Sequence, residues 1–273
     1  MKNLAAVVAA LAVLGLAAFT GAAAATTPTA TSLAALGDSI TRAFDTCPLA
    51  YVDCPANSWS TGTNASVDSW YLRLRAANPA LVASNDAKTG AKMVDLAGQA
   101  ATAAAQNADV VTILMGANDV CTSSVATMTD PTVLAGQLRT ALSTLATNDP
   151  NAQIYVASIP NVYRLWQVLH TNLAADLVWS VAGICQSLLA NPLSGSAADQ
   201  ARRLQVQART QADNAQIASV CTIEFAGRCH WDNLAVYNYP FAAGDITTRD
   251  YFHPNVTGQG KLAATEWGAF FGP

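Results

Sequence analysis

The segment VVTILMGAND, residues 110–119, contains the clearest predicted strand of the sequence. Its first part, residues 110–115, is a short run of mostly apolar and β-branched side chains that ends at Gly116. β-Branched residues favour strands, and a short continuous apolar run is typical of a strand buried on both faces. Such strands occur in parallel sheets whose two faces are covered by helices.

The same pattern recurs elsewhere along the chain. Residues 33–36 form an apolar run that ends at Gly37, residues 154–157 form another before Pro160, and residues 81–83 are a weaker candidate. Segments with helical spacing lie between and after these runs, at 70–77, 94–105, 133–145, 173–189, 197–220 and 260–270. This alternation predicts a single α/β domain with a small parallel sheet of about five strands.

Composition excludes several classes of protein. The chain has 273 residues, of which 52% are hydrophobic and 12% are charged. A disordered chain would be poor in apolar residues and rich in charge. The 14 Lys and Arg residues are outnumbered by 18 Asp and Glu residues, giving a net charge of −4. This balance argues against nucleic-acid binding and against charge-driven attachment to anionic lipid.

The first 25 residues have the pattern of a signal peptide. Lys2 is followed by a long apolar run and then by the small residues of segment 21–25, which offer several cleavage sites. The alternative is an uncleaved anchor, but a spanning helix needs about 20 apolar residues and this run is shorter. We therefore expect a secreted protein whose single domain is residues 26–273, with no stable membrane anchor after cleavage.

The six cysteines are even in number and contain no C-x-x-C pair, which favours three disulfides over a metal cluster. Six cysteines allow 15 pairings, and spacing alone does not choose among them. Two pairs would close short loops, and the remaining two cysteines would then join each other. The expected bonds are Cys47–Cys54, Cys221–Cys229 and Cys121–Cys185.

Three motifs carry residues suited to acyl transfer. Ser39 lies in GDSI directly after the first strand, Asn118 lies in GAND after the best strand, and DYFHP contains Asp250 and His253. A serine hydroxyl needs a base to become a good nucleophile, and His253 has a carboxylate, Asp250, three residues before it. The amide of Asn118 is suited to a developing oxyanion.

Each motif alone is ordinary turn chemistry, but their combination is not readily explained by structure alone. Other catalytic machinery is missing from the sequence. It contains no G-x-S-x-G, no P-loop and no G-x-G-x-x-G, and no two histidines have metal-ligand spacing. We therefore expect neither a metal nor an organic cofactor.

The three motifs resemble blocks of the SGNH hydrolases, also called the GDSL esterase/lipase family. A further block matches residues 85–91 and places its glycine at Gly90. The resemblance implies a flavodoxin-like three-layer α/β/α sandwich, the SGNH hydrolase fold. It also implies an oxyanion hole formed by the backbone N–H groups of Ser39 and Gly90 and by the Asn118 side chain.

Finer features are similar to the phospholipase-B-like branch of that family, namely residues 58–62, Asp95, Gln99 and Cys121. In some members of the family a backbone carbonyl, and not an Asp, orients the histidine, so the role of Asp250 is open. Trp59 is expected to be an ordinary core or surface aromatic residue, with the lining of an acyl pocket as its alternative role.

The resulting hypothesis is a secreted, monomeric serine ester hydrolase acting on small-molecule or lipid esters through an acyl-enzyme. Ser39, His253 and Asp250 would be its catalytic residues. The alternatives are a carbohydrate esterase that removes acetyl groups from polysaccharide and a non-catalytic secreted binding protein.

Overall fold

A computed structural model describes residues 29–272, so the predicted signal peptide, residues 1–25, lies outside the described residues. The centre is a five-stranded sheet in the order β2-β1-β3-β4-β5, and all its pairings are parallel. The strands are β1 Ser32–Gly37, β2 Val82–Asn85, β3 Val110–Leu114, β4 Gln153–Val156 and β5 Cys229–Trp231. The α/β class and the small parallel sheet are thereby confirmed.

Residues 29–272 contain ten α-helices. Most have a side-chain N-cap; for example, Ser69, Asp130 and Ser196 each accept a hydrogen bond from a backbone N–H of the first turn. The helices are α1 Trp70–Ala77, α2 Leu96–Ala105, α3 Ala117–Val120, α4 Pro131–Asn148, α5 Val162–Leu169, α6 Leu173–Ala182, α7 Gln186–Leu189, α8 Ala197–Ser219, α9 Ala235–Asn238 and α10 Val256–Phe271.

Helices cover both faces of the sheet, as a three-layer sandwich requires. Helix α4 packs against both α2 and α8. Helices α1 and α10 meet around Trp70, whose ring lies 5.5 Å from that of Trp267 and 5.2 Å from that of Tyr155 on β4. Strands β1 and β3 are almost completely buried between the layers, as their apolar sequences predict.

The structure differs from the sequence prediction in two ways. The helix predicted over residues 173–189 is two helices, α6 and α7, because Gly183 and Cys185 between them have φ angles of +64° and +44°. A left-handed residue ends an α-helix. Helices α3, α5 and α9 and strand β5 were not predicted, and all four are short.

The three disulfides of the structure are Cys47–Cys54, Cys121–Cys185 and Cys221–Cys229, the same pairs that the sequence analysis expects. The Cys121–Cys185 bond ties the end of α3 to the start of α7. No helix within residues 29–272 combines the length and the apolar character needed to cross a bilayer.

Candidate active site

The site lies at the carboxyl ends of two neighbouring strands. β1 pairs with β3 up to Gly37 opposite Leu114, so the turns that follow the two strands are adjacent. In this strand order the position between β1 and β3 is the topological switch point, where open α/β sheets bind ligands. Ser39 follows β1 and Asn118 lies on α3 directly after β3.

The turn before Ser39 is fixed by Gln99 of α2. The Gln99 side chain accepts a hydrogen bond from the Gly37 N–H at 2.8 Å and donates one to the Gly37 carbonyl at 2.9 Å. Gly37 itself permits a close approach, since a Cβ atom there would lie 2.4 Å from the Leu114 carbonyl oxygen. These contacts hold the end of β1 in one conformation.

Ser39, His253 and Asp250 form a continuous hydrogen-bonded chain. The Ser39 Oγ lies 2.7 Å from His253 Nε2, and His253 Nδ1 lies 2.5 Å from Asp250 Oδ2. The histidine comes from the loop before α10, 214 residues after the serine, so the fold alone brings the two together. The arrangement can move a proton from the hydroxyl to the imidazole while the carboxylate holds the ring.

Asp250 is held as a carboxylate by its hydrogen bonds. Burial disfavours its charged form, but the His253 side chain and the backbone N–H groups of Phe252 and His253 outweigh burial and lower the pKa of Asp250. These two N–H groups donate to Oδ1 at 2.8 and 3.0 Å. The same carboxylate therefore shapes the turn and faces the imidazole.

Of the groups expected to bind an oxyanion, the Asn118 amide lies beside the turn that contains Gly90 and lines the same pocket as Ser39. Asn118 Nδ2 donates to the Ala91 carbonyl at 2.9 Å, which connects the end of β3 to the turn containing Gly90. An amide has two N–H donors, so one remains for a ligand. Among residues 29–272, no protein acceptor pairs with the backbone N–H of Ser39 or of Gly90.

The other two carboxylates of the motifs are buried supports. Asp119 accepts from the Met93 N–H at 2.9 Å and from Thr129 Oγ1 at 2.7 Å, and burial raises its pKa. Asp38 accepts from the Ile40 N–H at 2.9 Å, and burial raises its pKa to about 6. Neither carboxylate hydrogen-bonds to Ser39 or His253 within the described part of the chain.

A pocket of about 730 Å³, part of it open to solvent, extends from Ser39 and His253. Its walls are mostly apolar, and many of them come from α5, which the sequence analysis missed. The signal was present, because residues 162, 165 and 168 repeat at helical spacing after Pro160. The main apolar lining residues are Val162, Leu165, Val168, Phe241, Ile246 and Phe252.

Trp59 is not among the pocket residues. It is fully buried in the main core, and its indole N–H donates to Thr41 Oγ1 at 3.2 Å. Of the two structural positions expected for Trp59, core or surface, it occupies the core, and the alternative role in an acyl pocket is wrong. Residues of helix α5, and not Trp59, line the pocket beside Ser39.

The sequence matches the family model of the GDSL-like lipase/acylhydrolase family over residues 35–261. This match covers most of the chain, and the chain therefore belongs to that family. It is a carboxylic ester hydrolase of the lipase/esterase type. No curated protein matches the sequence.

Solved structures support the fold. One similar structure is LAE5, an alpha/beta hydrolase enzyme from the metagenome of Lake Arreo, Spain. Its TM-score is 0.54 and its sequence identity is 18%, and the match covers 88% of this chain and 94% of that one. Another is an extracellular lipase from Streptomyces rimosus, with a TM-score of 0.50 and 17% identity over 88% of this chain and 99% of that one.

Proposed function

We propose that this ester hydrolase is a secreted enzyme that cleaves lipid esters through an acyl-enzyme on Ser39. The observation that carries the proposal is the hydrogen-bonded chain from Ser39 through His253 to Asp250, which faces an apolar pocket. A pocket lined by Val, Leu, Ile and Phe side chains favours an acyl chain by burying its methylene groups, about 0.8 kcal/mol for each. An acetyl group would leave most of this surface uncovered.

The reaction has two stages. In the first, His253 Nε2 takes the Ser39 proton as Ser39 Oγ bonds to the ester carbonyl carbon. The carbonyl oxygen becomes an oxyanion, which the Ser39 N–H, the Gly90 N–H and the Asn118 amide stabilise. The ester C–O bond then breaks, and the alcohol leaves with the proton held by His253. In the second stage His253 takes a proton from water as the water oxygen bonds to the acyl carbon. The bond between that carbon and Ser39 Oγ then breaks, the acid leaves, and His253 returns the proton to Ser39.

Asp250 has two roles in this proposal. Its bond to Nδ1 selects the tautomer in which Nε2 is the acceptor for the Ser39 proton, and its charge stabilises the imidazolium that forms. The proposal thus assigns the orienting role to Asp250 and not to a backbone carbonyl.

Secretion is also part of the proposal. All six cysteines are paired, and disulfides persist in oxidising compartments. Residues 1–25 would be the signal peptide and residues 26–273 the mature, monomeric domain. N-terminal sequencing of the exported protein tests this, since a mature chain that still began at Met1 would contradict it.

Substrate class is tested by comparing p-nitrophenyl acetate, octanoate and palmitate with a phospholipid and an acetylated xylan. We expect higher kcat/KM on octanoate or palmitate than on acetate. Leu165→Trp should reduce this preference by filling the pocket, whereas Gln167→Trp, on the exposed side of the same helix, should not. Preferred release of acetate from xylan would instead favour the carbohydrate esterase.

A further inference from the structure

The loop that follows Ser39, here called the nucleophile loop (residues 42–54), touches both ends of the Ser39–His253 pair. The Phe44 N–H donates to the Ser39 carbonyl at 2.9 Å. The Phe44 ring packs against the His253 ring with a centroid distance of 4.9 Å. The Cys47–Cys54 disulfide closes the far part of this loop. The conformation of the nucleophile loop therefore affects the position of the His253 ring.

Arg249 connects the nucleophile loop to the turn that carries Asp250 and His253. It directly precedes Asp250 in the sequence, and its guanidinium points away from that turn into the loop. There it donates to four backbone carbonyls, those of Asp45, Cys47, Pro48 and Leu49, at 2.5 to 3.3 Å. The acceptors are backbone atoms, so they converge on the guanidinium only while the loop keeps its curved form.

An ion pair strengthens this connection. Arg249 Nη1 lies 3.2 Å from Asp45 Oδ1, and the Asp45 side chain is completely buried while that of Arg249 is 31% exposed. Asp45 Oδ1 also accepts from the Tyr51 N–H at 2.8 Å, within the same loop. Loss of the guanidinium would leave a buried carboxylate without its counter-charge, which is strongly unfavourable. The loop would then have to rearrange.

We propose that Arg249 is a positioning residue that holds the disulfide-closed nucleophile loop against the Asp250–His253 turn and thereby sets the alignment of His253 with Ser39. The inference rests on the proposed roles of Ser39, His253 and Asp250. Arg249 contacts neither reacting group itself and acts through Phe44 and the backbone of the turn. A displacement of about 1 Å in an aligned catalytic pair can cost on the order of a hundredfold in rate.

The test compares Arg249→Gln with Arg228→Gln. Arg228 is a matched control because its guanidinium also donates to backbone carbonyls, those of Ala146, Asp149 and Ala152, remote in sequence from all three motifs. For each variant kcat and KM are measured with a soluble p-nitrophenyl ester, on active sites counted by titration, together with the melting temperature. Arg249→Gln should lower kcat by about ten- to a hundredfold with KM nearly unchanged. Arg228→Gln should lower only the melting temperature.

A second pair of variants tests the role of the loop. Removing the Cys47–Cys54 bond as C47S/C54S should lower kcat in the same way, whereas removing the other short-loop bond as C221S/C229S should affect stability alone. If Arg249 acts through the closed loop, combining Arg249→Gln with C47S/C54S should lower kcat little further. Arg249→Lys, which keeps the charge but not the fork of donors, should have an intermediate kcat.

The outcomes separate the inference from the proposed function. A kcat within twofold of the native value in Arg249→Gln, or fully additive effects of the two changes, would overturn the positioning role. If Arg249→Gln does not fold, kcat is measured in Arg249→Lys and in C47S/C54S instead. A kcat within twofold of the native value in both would likewise overturn the positioning role. If Ser39→Ala keeps its activity, the proposed function itself fails, whatever the Arg249 variants show.

Discussion

Replacing Asn118 by Asp should remove nearly all turnover while leaving the protein folded. The substitution keeps the size of the side chain but replaces an N–H donor with a negatively charged oxygen. In the structure the amide donates to the Ala91 carbonyl at 2.9 Å, so it lies beside the turn that contains Gly90. A carboxylate there would face both that carbonyl and the developing oxyanion.

The magnitude follows from two losses. Removing one donor from an oxyanion hole costs about 10²–10³ in kcat, or roughly 2.7–4 kcal/mol, and this is what Asn118→Ala should show. Ala91 is buried, and a buried carbonyl left without its donor costs about 1–3 kcal/mol, in stability or in displacement of the Gly90 turn. Asn118→Asp adds repulsion of the oxyanion, so its kcat should fall by at least as much as that of Asn118→Ala.

The assay uses a soluble short-chain p-nitrophenyl ester near neutral pH, with active sites counted by titration and melting temperatures measured in parallel. Asp119→Ala is the control, because its carboxylate holds Met93 and Thr129 and does not face the serine. It should lower the melting temperature more than kcat. Near-normal kcat in Asn118→Asp would refute Asn118 as an oxyanion donor.

Two further predictions concern stability. Burial raises the pKa of Asp213 to about 7, so the folded protein retains a proton that the unfolded chain releases near pH 4, and stability falls as pH rises between these values. Asp213→Asn should therefore raise the free energy of unfolding near pH 8, by up to about 4 kcal/mol relative to the native protein, and should not raise it near pH 4. Urea titrations at the two pH values measure this difference, and an equal effect at both would contradict the prediction. The variant C121S/C185S should lose about 2–5 kcal/mol of stability and also kcat, because the bond supports the helix bearing Asn118, whereas C221S/C229S should lose stability alone.

Much of the sheet could be predicted from sequence. β1, β3 and β4 are continuous apolar runs with a Gly or Pro close after them, and a buried parallel strand has just this pattern. β5 spans only Cys229–Trp231, too few residues for periodicity to detect. The break between α6 and α7 was missed because the positive φ of Cys185 accompanies a disulfide, and helical spacing on either side does not reveal it.

For the candidate site, sequence indicated the residues but not the pocket. The motifs containing Ser39, Asn118 and His253 are local patterns at predicted strand ends and loops, so they could be found without a structure. The pocket is assembled from α5 and from loops distant in sequence, and no local pattern predicts which of their apolar residues meet. The contacts of Arg249 with the nucleophile loop likewise join residues about 200 positions apart.

The central claim is that Ser39 carries the acyl group during turnover. Acid quenching of the enzyme during hydrolysis of p-nitrophenyl octanoate, followed by intact-mass measurement and peptide mapping, tests it directly. We predict a single octanoyl adduct on the peptide that contains Ser39. The adduct should be absent in Ser39→Ala. Normal turnover with no adduct, or an adduct on another residue, would contradict the claim.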